Sequence, residues 1–286
     1  MKIYHQCKLM LLAACMLPLC SLAQEASNSS VELPYQPMMA TDTIAPATIT
    51  MPSRGVEIYT SRHSLSEGYG DWSETGLRGK YEIGANLLQT ELASTRRFNE
   101  SGTYIGLSDT VIIRPEWFGT LSVGAGSGAS YLPRYRIDGF INRKLLADKN
   151  LIGTLGVGYY RAPDGHVDHN FSLGGTYYFS QPWILQAEVK FNTSNPGKVN
   201  TRQQFVALTW GHDKKTQITG RYAWGTEGYQ SIGAGASLVD FRSRQASIAV
   251  RHWINENWGV SVNLERYKNP TYQRNGVNLG LFWQFQ

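Results

Sequence analysis

The chain has 286 residues, 42% of them hydrophobic and 17% charged, with a formal charge of +5. That length allows one domain or two, and the charge is too weak to argue for nucleic acid as a partner. A mean hydropathy of −0.32 suits a soluble protein but equally a membrane barrel, where only alternate residues of each strand face lipid.

Lys2 and Lys8 precede a short apolar stretch, Leu9 to Leu19, and Ser21-Leu22-Ala23 places small residues at the −3 and −1 positions of a cleavage site. This is the pattern of an export signal over residues 1–23, leaving a mature chain that starts at Gln24. About 11 apolar residues are too few to cross a bilayer as a helix. Leu12-Ala13-Ala14-Cys15 offers a rival cleavage that would lipidate Cys15, on a shorter apolar run. Cys7, Cys15 and Cys20 all lie before Gln24, so the mature chain forms no disulfide and needs another source of stability. Residues 24–53, with Pro34, Pro37, Pro46 and Pro52, lack a sustained apolar period and read as a flexible periplasmic leader.

From residue 54 onward the pattern has period two. Leu185, Ala187, Val189 and Phe191 alternate with Gln186, Glu188, Lys190 and Asn192. Val260, Val262 and Leu264 alternate with Ser261, Asn263 and Glu265. Alternate side chains point to opposite faces of a strand, so each strand has one apolar and one strongly polar face. The predicted strands are 55–65, 73–83, 86–97, 103–113, 117–127, 134–145, 150–160, 168–179, 183–193, 201–210, 215–225, 241–252, 257–267 and 274–286. Short turns such as Gly84-Ala85 and Gln181-Pro182 alternate with longer links, among them 68–72, 98–102 and 226–240. Membrane barrels have short periplasmic turns and longer external loops. The expectation is therefore an all-β, transmembrane, antiparallel up-and-down barrel of about 14 strands over 54–286, with both termini periplasmic. A version with 12 strands would turn two short pairs into loop. Strands of about 10 residues match a tilted membrane crossing better than the 5–6 typical of a soluble β-sandwich.

Aromatic placement points the same way. Trp117, Trp183 and Trp258 follow short turns, Trp210 precedes one, and Trp283 and Phe285 close the last strand, all on the apolar face by parity. They form a periplasmic girdle at headgroup level, and a C-terminal strand ending this way resembles the signal read by the barrel-assembly machinery.

The polar face carries Glu57, Arg78, Lys80, Glu91, Arg97, Arg136, Asp138, Lys144, Glu188, Lys190, Arg221, Arg251 and Glu265. Mixed signs at this density either pair and fill the lumen or line a pathway for a polar solute, the slight cationic excess then favouring anions. Asp164, His166, Asp168 and His169 cluster near one external loop, where a polar solvated loop is the commoner reading than a metal site. His63, Ser64, Ser66 and Asp71 lie close together in sequence, but nucleophilic catalysis needs them within hydrogen-bond reach in space. There is no Gly-x-Ser-x-Gly elbow, no His-Glu-x-x-His and no phosphate loop. The glycines of Gly124-Ala125-Gly126-Ser127-Gly128, at a strand end, make room for a neighbouring chain or a bend. No cofactor is expected.

Several short motifs occur in order along the barrel: Gly68-Tyr69-Gly70-Asp71-Trp72, Arg97-Phe98, Pro133-Arg134, Asn142-Arg143-Lys144, Ser194-Asn195-Pro196-Gly197, Val239-Asp240-Phe241-Arg242-Ser243 and Asn269-Pro270. On these the chain resembles the YaiO family of outer-membrane β-barrel proteins. The resemblance implies an outer-membrane location and brings no catalytic or ligand residues with it. Some relatives carry tetratricopeptide-type helices before the barrel, and a leader of about 30 residues is too short for one such repeat. Tyr69, Asp71, Trp72, Asn195, Pro196, Asp240 and Arg242 fall on the long-loop side. There they either fold loops over the mouth or form a recognition surface for a glycan or a lipopolysaccharide headgroup. The leading functional expectation is a non-enzymatic barrel, either a conduit for polar solutes or polysaccharide or a structural surface protein. The alternative is a barrel enzyme acting on lipid or glycan at the outer leaflet.

Overall fold

The computed structural model describes residues 54–286 apart from Gln181, Ala234, Gly235 and Gln286. The export signal, the leader and Cys15 lie outside the described residues. Fourteen strands follow in chain order: β1 (Arg54–Leu65), β2 (Trp72–Ile83), β3 (Asn86–Arg97), β4 (Glu100–Arg114), β5 (Trp117–Ser127), β6 (Tyr135–Leu145), β7 (Leu151–Arg161), β8 (Val167–Tyr178), β9 (Trp183–Asn195), β10 (Val199–Gly211), β11 (Thr216–Gly233), β12 (Ala236–Trp253), β13 (Trp258–Lys268) and β14 (Gln273–Phe285). Each pairs antiparallel with its sequence neighbours, and β14 closes on β1 with Ile58 opposite Leu281. Closure leaves no unpaired strand edge, which is what permits a sheet to sit in hydrocarbon. The even strand number puts both ends of the barrel chain at one end of the cylinder, called here the terminal end.

Parity decides the faces as expected. In β9, Ile184, Gln186 and Lys190 are buried while Trp183, Leu185 and Phe191 are exposed. Ile105, Leu121, Val157, Leu264 and Leu279 are each at least half exposed on the outer wall. In water such a surface would aggregate; in a bilayer it is the lipid face. Trp183, Trp210, Trp258 and Trp283 stand outward at the terminal end, each about 42% exposed, with Trp258 stacked on Trp283 at 5.8 Å. A second belt at the opposite end includes the stacked pairs Tyr135–Tyr159 and Tyr222–Trp224.

Two links differ from expectation. Residues 226–240, read from the sequence as a loop, belong to a tall hairpin, because β11 and β12 each run for 18 residues. A crossing needs about 11 residues, so this hairpin stands roughly 20 Å beyond its neighbours along the strand. On either side of its tip, residues 229–233 and 236–240 lose the clean alternation of the lower strands. Residues 98–102, read as a long link, are a two-residue turn at Phe98 and Asn99, whose φ values of 50° and 65° suit the twist of a tight hairpin. Loop length therefore separates the two ends less clearly than expected, and the tall hairpin distinguishes them better.

Candidate functional site

The thirteen charged residues of the polar face all lie on inward rows. Eight of them sit in ion pairs among the described residues. Near the terminal end, Glu57 accepts from Ser261 Oγ at 2.6 Å and pairs with Arg251 at 3.2 Å, while Arg251 lies 3.4 Å from the centre of the Phe282 ring. At mid-height Arg78 pairs with Glu91 at 2.9 Å, and the single Tyr59 hydroxyl proton is shared between Glu91 at 2.8 Å and Glu74 at 3.0 Å. Higher up, Arg97 pairs with Glu74 at 2.8 Å, and Glu265 holds Arg274 at 2.9 Å and faces His63 at 3.2 Å. On the far wall Arg136 pairs with Asp138 at 2.8 Å. Buried carboxylates and guanidiniums persist only when paired.

Sequence reasoning missed Glu74, Glu82, Glu227 and Arg274, all of which are buried. Parity with Arg78 would have found the first two. Apart from Phe282 on the last strand, it also treated the inward face as polar. At the terminal end Leu87, Phe118, Ile152, Ile184, Trp253 and Phe282 point inward and are at most 4% exposed. Each stands within a few residues of a strand end, so apolar side chains floor the lumen there.

The opposite end is closed differently. Trp72, Phe98, Tyr267 and Tyr272 form a buried aromatic cluster, with Trp72 and Phe98 edge-on at 4.9 Å. Arg274 and Arg97 lie against the Trp72 ring at 4.6 and 5.3 Å. Ile232 and Leu238 of the tall hairpin pack on this cluster. Gln230 donates to the Tyr272 hydroxyl, and Asn269 donates to Gln230 at 3.3 Å. Burial raises the Tyr272 phenol above its ordinary value, with the Arg274 charge opposing. From the far wall the 128–134 loop reaches in, and Ser130 Oγ meets Ser231 Oγ of the hairpin at 2.8 Å. Leu132 of that loop occupies the space beside Gly126, where a Cβ would stand 2.6 Å from it, so the glycines there do make room for a neighbour. Through Ser231, Ile232 and Leu238 the upper part of the hairpin thus reaches across the mouth.

The loop-side motif residues divide between two places. Tyr69 packs edge-on against Phe98 at 6.0 Å and Trp72 is 1% exposed, both inside the cap. The Pro196 carbonyl, next to Asn195, accepts from Tyr229 at the hairpin base at 2.9 Å. Asp71 instead bonds Arg62 on the outer wall, and Asp240 and Arg242 are exposed on the hairpin.

The residues weighed for catalysis do not converge. His63 points inward and is buried, Ser64 points outward, the Ser66 hydroxyl accepts from the Gln273 amide, and Asp71 is taken by Arg62. In the polar loop Asp164 bonds His166 at 2.7 Å, but Asp168 turns inward and His169 packs outside against Tyr159.

The solved structures similar to this chain include a monoaromatic hydrocarbon channel, CymD, with a TM-score of 0.54 at 7% identity, covering 82% of this chain and 87% of that one. A bacterial polysaccharide outer membrane secretin scores 0.52 at 11% identity, covering 82% and 98%. The Acinetobacter baumannii outer membrane protein Omp33 scores 0.49 at 10% identity, covering 82% and 99%. At such identities the likeness is one of fold. No curated protein matches the chain. The family model described as the YaiO membrane beta barrel domain matches residues 53–230, which leaves the motifs at 239–243 and 269–270 beyond its end. It spans more than half of the chain, from the first strand into the tall hairpin, and the chain accordingly belongs to the YaiO family of outer-membrane β-barrels.

Proposed function

We propose that this protein is a non-enzymatic outer-membrane barrel closed by its own side chains, with both termini periplasmic. Its function is then exercised at its capped mouth and outer wall rather than by an open pore. One observation carries this reading: nearly inaccessible inward side chains occur at every level from floor to cap, Glu57, Lys144, Lys190, Asn263, Glu265 and Arg274 all being at most 6% exposed, while Arg78 and Glu91 at mid-height keep 18% and 31%. A water-filled channel would leave such groups hydrated, as in porins. One cavity among the described residues, beside Lys190, Arg221 and Gln245, is about 20 Å³, space for roughly one water. The orientation rests on the girdle of Trp183, Trp210, Trp258 and Trp283 and on the tall hairpin, which would face the medium. The last strand, ending in Trp283 and Phe285, suits recognition by the barrel-assembly machinery.

Planar-bilayer recording of the purified mature protein tests this. The expected result is no steady conductance at any voltage that the membrane withstands. Stable ohmic steps in the wild type would overturn it.

A second reading, a gated conduit for polar solutes or polysaccharide, is favoured by the kind of contact that joins the hairpin to the far wall among the described residues, a single hydroxyl pair that can part. Across the mouth the hairpin is held by the Ser130–Ser231 contact. In that case deleting residues 229–239 opens the barrel and produces conductance; a silent deletion variant speaks for the permanently filled lumen.

A further inference from the structure

The outer wall above the second aromatic belt carries a feature that neither the lumen nor the cap explains. On β10, β12 and β13 the outward rows run from lipid-facing residues to cations. Leu208 and Val206 lead through Gln204 to Arg202; Ile248 and Ala246 lead to Arg244 and Arg242; Val262 and Leu264 lead to Arg266 and Lys268. Four of these cations, Arg202, Arg242, Arg244 and Lys268, line a recess of about 790 Å³ together with Tyr222 and Trp224. All four are exposed. Among the described residues no carboxylate lies within ion-pair distance of any of them. The closest acidic position along β12 is Asp240, two residues above Arg242 on the same face.

Register makes the arrangement costly when empty. Arg244 is the direct cross-strand partner of Lys268, and on its other side of Trp224. Like charges placed directly opposite on one face of a sheet destabilise the pairing. Arg202 and Arg242 flank Thr226 in the next row, so four positive charges on β10, β12 and β13 fall within four adjacent strands. At about 4.8 Å per strand they span roughly 15 Å. Arg62, by comparison, is an outward cation already neutralised by Asp71.

Depth identifies the missing anion. Arg244 and Lys268 lie in one register row with Trp224, whose stacked partner Tyr222 marks the belt. Interfacial Trp and Tyr lie at headgroup level. Groups that combine negative charge with oxygen acceptors at that level are lipid phosphates, which guanidiniums bind with paired hydrogen bonds. Sugar rings attached to those phosphates would meet the faces of Trp224 and Tyr222. We propose that this recess is a binding site for the phosphate groups of an outer-leaflet glycolipid. It places Arg242 and Pro270, at the recess lip, in a lipid site on the wall rather than in the mouth.

The proposal rests on the orientation given above, and two experiments separate them. Mature protein is reconstituted in phosphatidylcholine nanodiscs carrying deep-rough lipopolysaccharide, and bound glycolipid is counted by native mass spectrometry. The wild type should retain it, and the triple variant Arg242→Ala/Arg244→Ala/Lys268→Ala should lose at least tenfold in apparent affinity. Arg62→Ala should bind as wild type, and Arg242→Lys/Arg244→Lys should recover part of the loss. Heat-modifiable gel mobility checks that each variant is folded. Enzymatically dephosphorylated glycolipid should not bind, and inorganic phosphate at matched concentration should not compete. Equal retention by the triple variant, by dephosphorylated lipid or with phosphatidylglycerol in place of the glycolipid would overturn the site. Separately, Arg242→Cys is labelled in whole cells with a membrane-impermeant maleimide. Labelling confined to permeabilised cells would overturn the orientation, and with it the identity of the lipid, even if nanodisc binding persists.

Discussion

The pair Arg97–Glu74 offers a quantitative test of whether the lumen is filled. Their side chains are 1% and 7% exposed and 2.8 Å apart. Arg97 also lies against the Trp72 and Tyr131 rings at 5.3 and 5.1 Å, so a methionine keeps much of its packing. Arg97→Met strands the Glu74 carboxylate with one remaining donor, the Tyr59 hydroxyl at 3.0 Å. Breaking a buried pair from one side costs about 3–5 kcal/mol, and the surviving hydrogen bond puts the expectation near the lower figure. Glu74→Gln alone leaves the guanidinium buried without its counter-charge and costs a similar amount. The double variant removes both charges and should cost no more than about 1–2 kcal/mol, because exchanging a buried pair for neutral groups is often close to neutral. The coupling energy is then several kcal/mol. It is read from urea unfolding in short-chain phosphatidylcholine vesicles, with the folded fraction scored by gel mobility. A water-filled lumen would solvate both groups, and exposed pairs couple by only about 0.2–1 kcal/mol. Additive single-variant costs would therefore refute the filled interior.

Four further outcomes are expected. Val189→Arg puts a charge on the lipid face and should cost about 2–4 kcal/mol in vesicles if it lies near the bilayer midplane; wild-type unfolding would contradict the assigned faces. Gln186→Arg, which on parity alone should be mild, is expected to cost about 1–3 kcal/mol through overpacking, because Gln186 is 5% exposed in the crowded interior. Ser130→Cys/Ser231→Cys should form a disulfide across the mouth on mild oxidation, seen as a reductant-sensitive gel shift, and failure to form in the folded protein would mean that the hairpin does not cross. Gly276→Ala should destabilise by about 1–3 kcal/mol, since its Cβ would fall 2.0 Å from the His63 ring; unchanged urea unfolding would show that the His63–Glu265 contact is looser than described.

Much of the barrel was legible because its grammar is local. A strand that faces lipid on one side and a polar interior on the other must alternate, and Leu185 to Asn192 does so without reference to any other residue. The outward Trp residues near the turns followed from the same parity. Legibility failed where the local environment is not lipid against lumen. Residues 226–233 lie above the bilayer with one face on the cap, so their alternation is lost although they are strand. Ile184 and Phe118 sit on inward rows yet are apolar, because the floor of the lumen is packed rather than wet.

By itself the sequence determined which way successive side chains point, roughly where strands begin and end, and that an even number of them must close. These are consequences of a two-residue period and of bounded strand length. Only the tertiary structure decided which groups meet. His63 faces Glu265 across 202 positions of chain, Ser130 meets Ser231 across 101, and Arg244 stands opposite Lys268 with no anion between them. Such encounters depend on the stagger at which the sheet closes and on how a tall hairpin bends over the mouth. Those are relations between distant strands, and no periodicity within one strand encodes them.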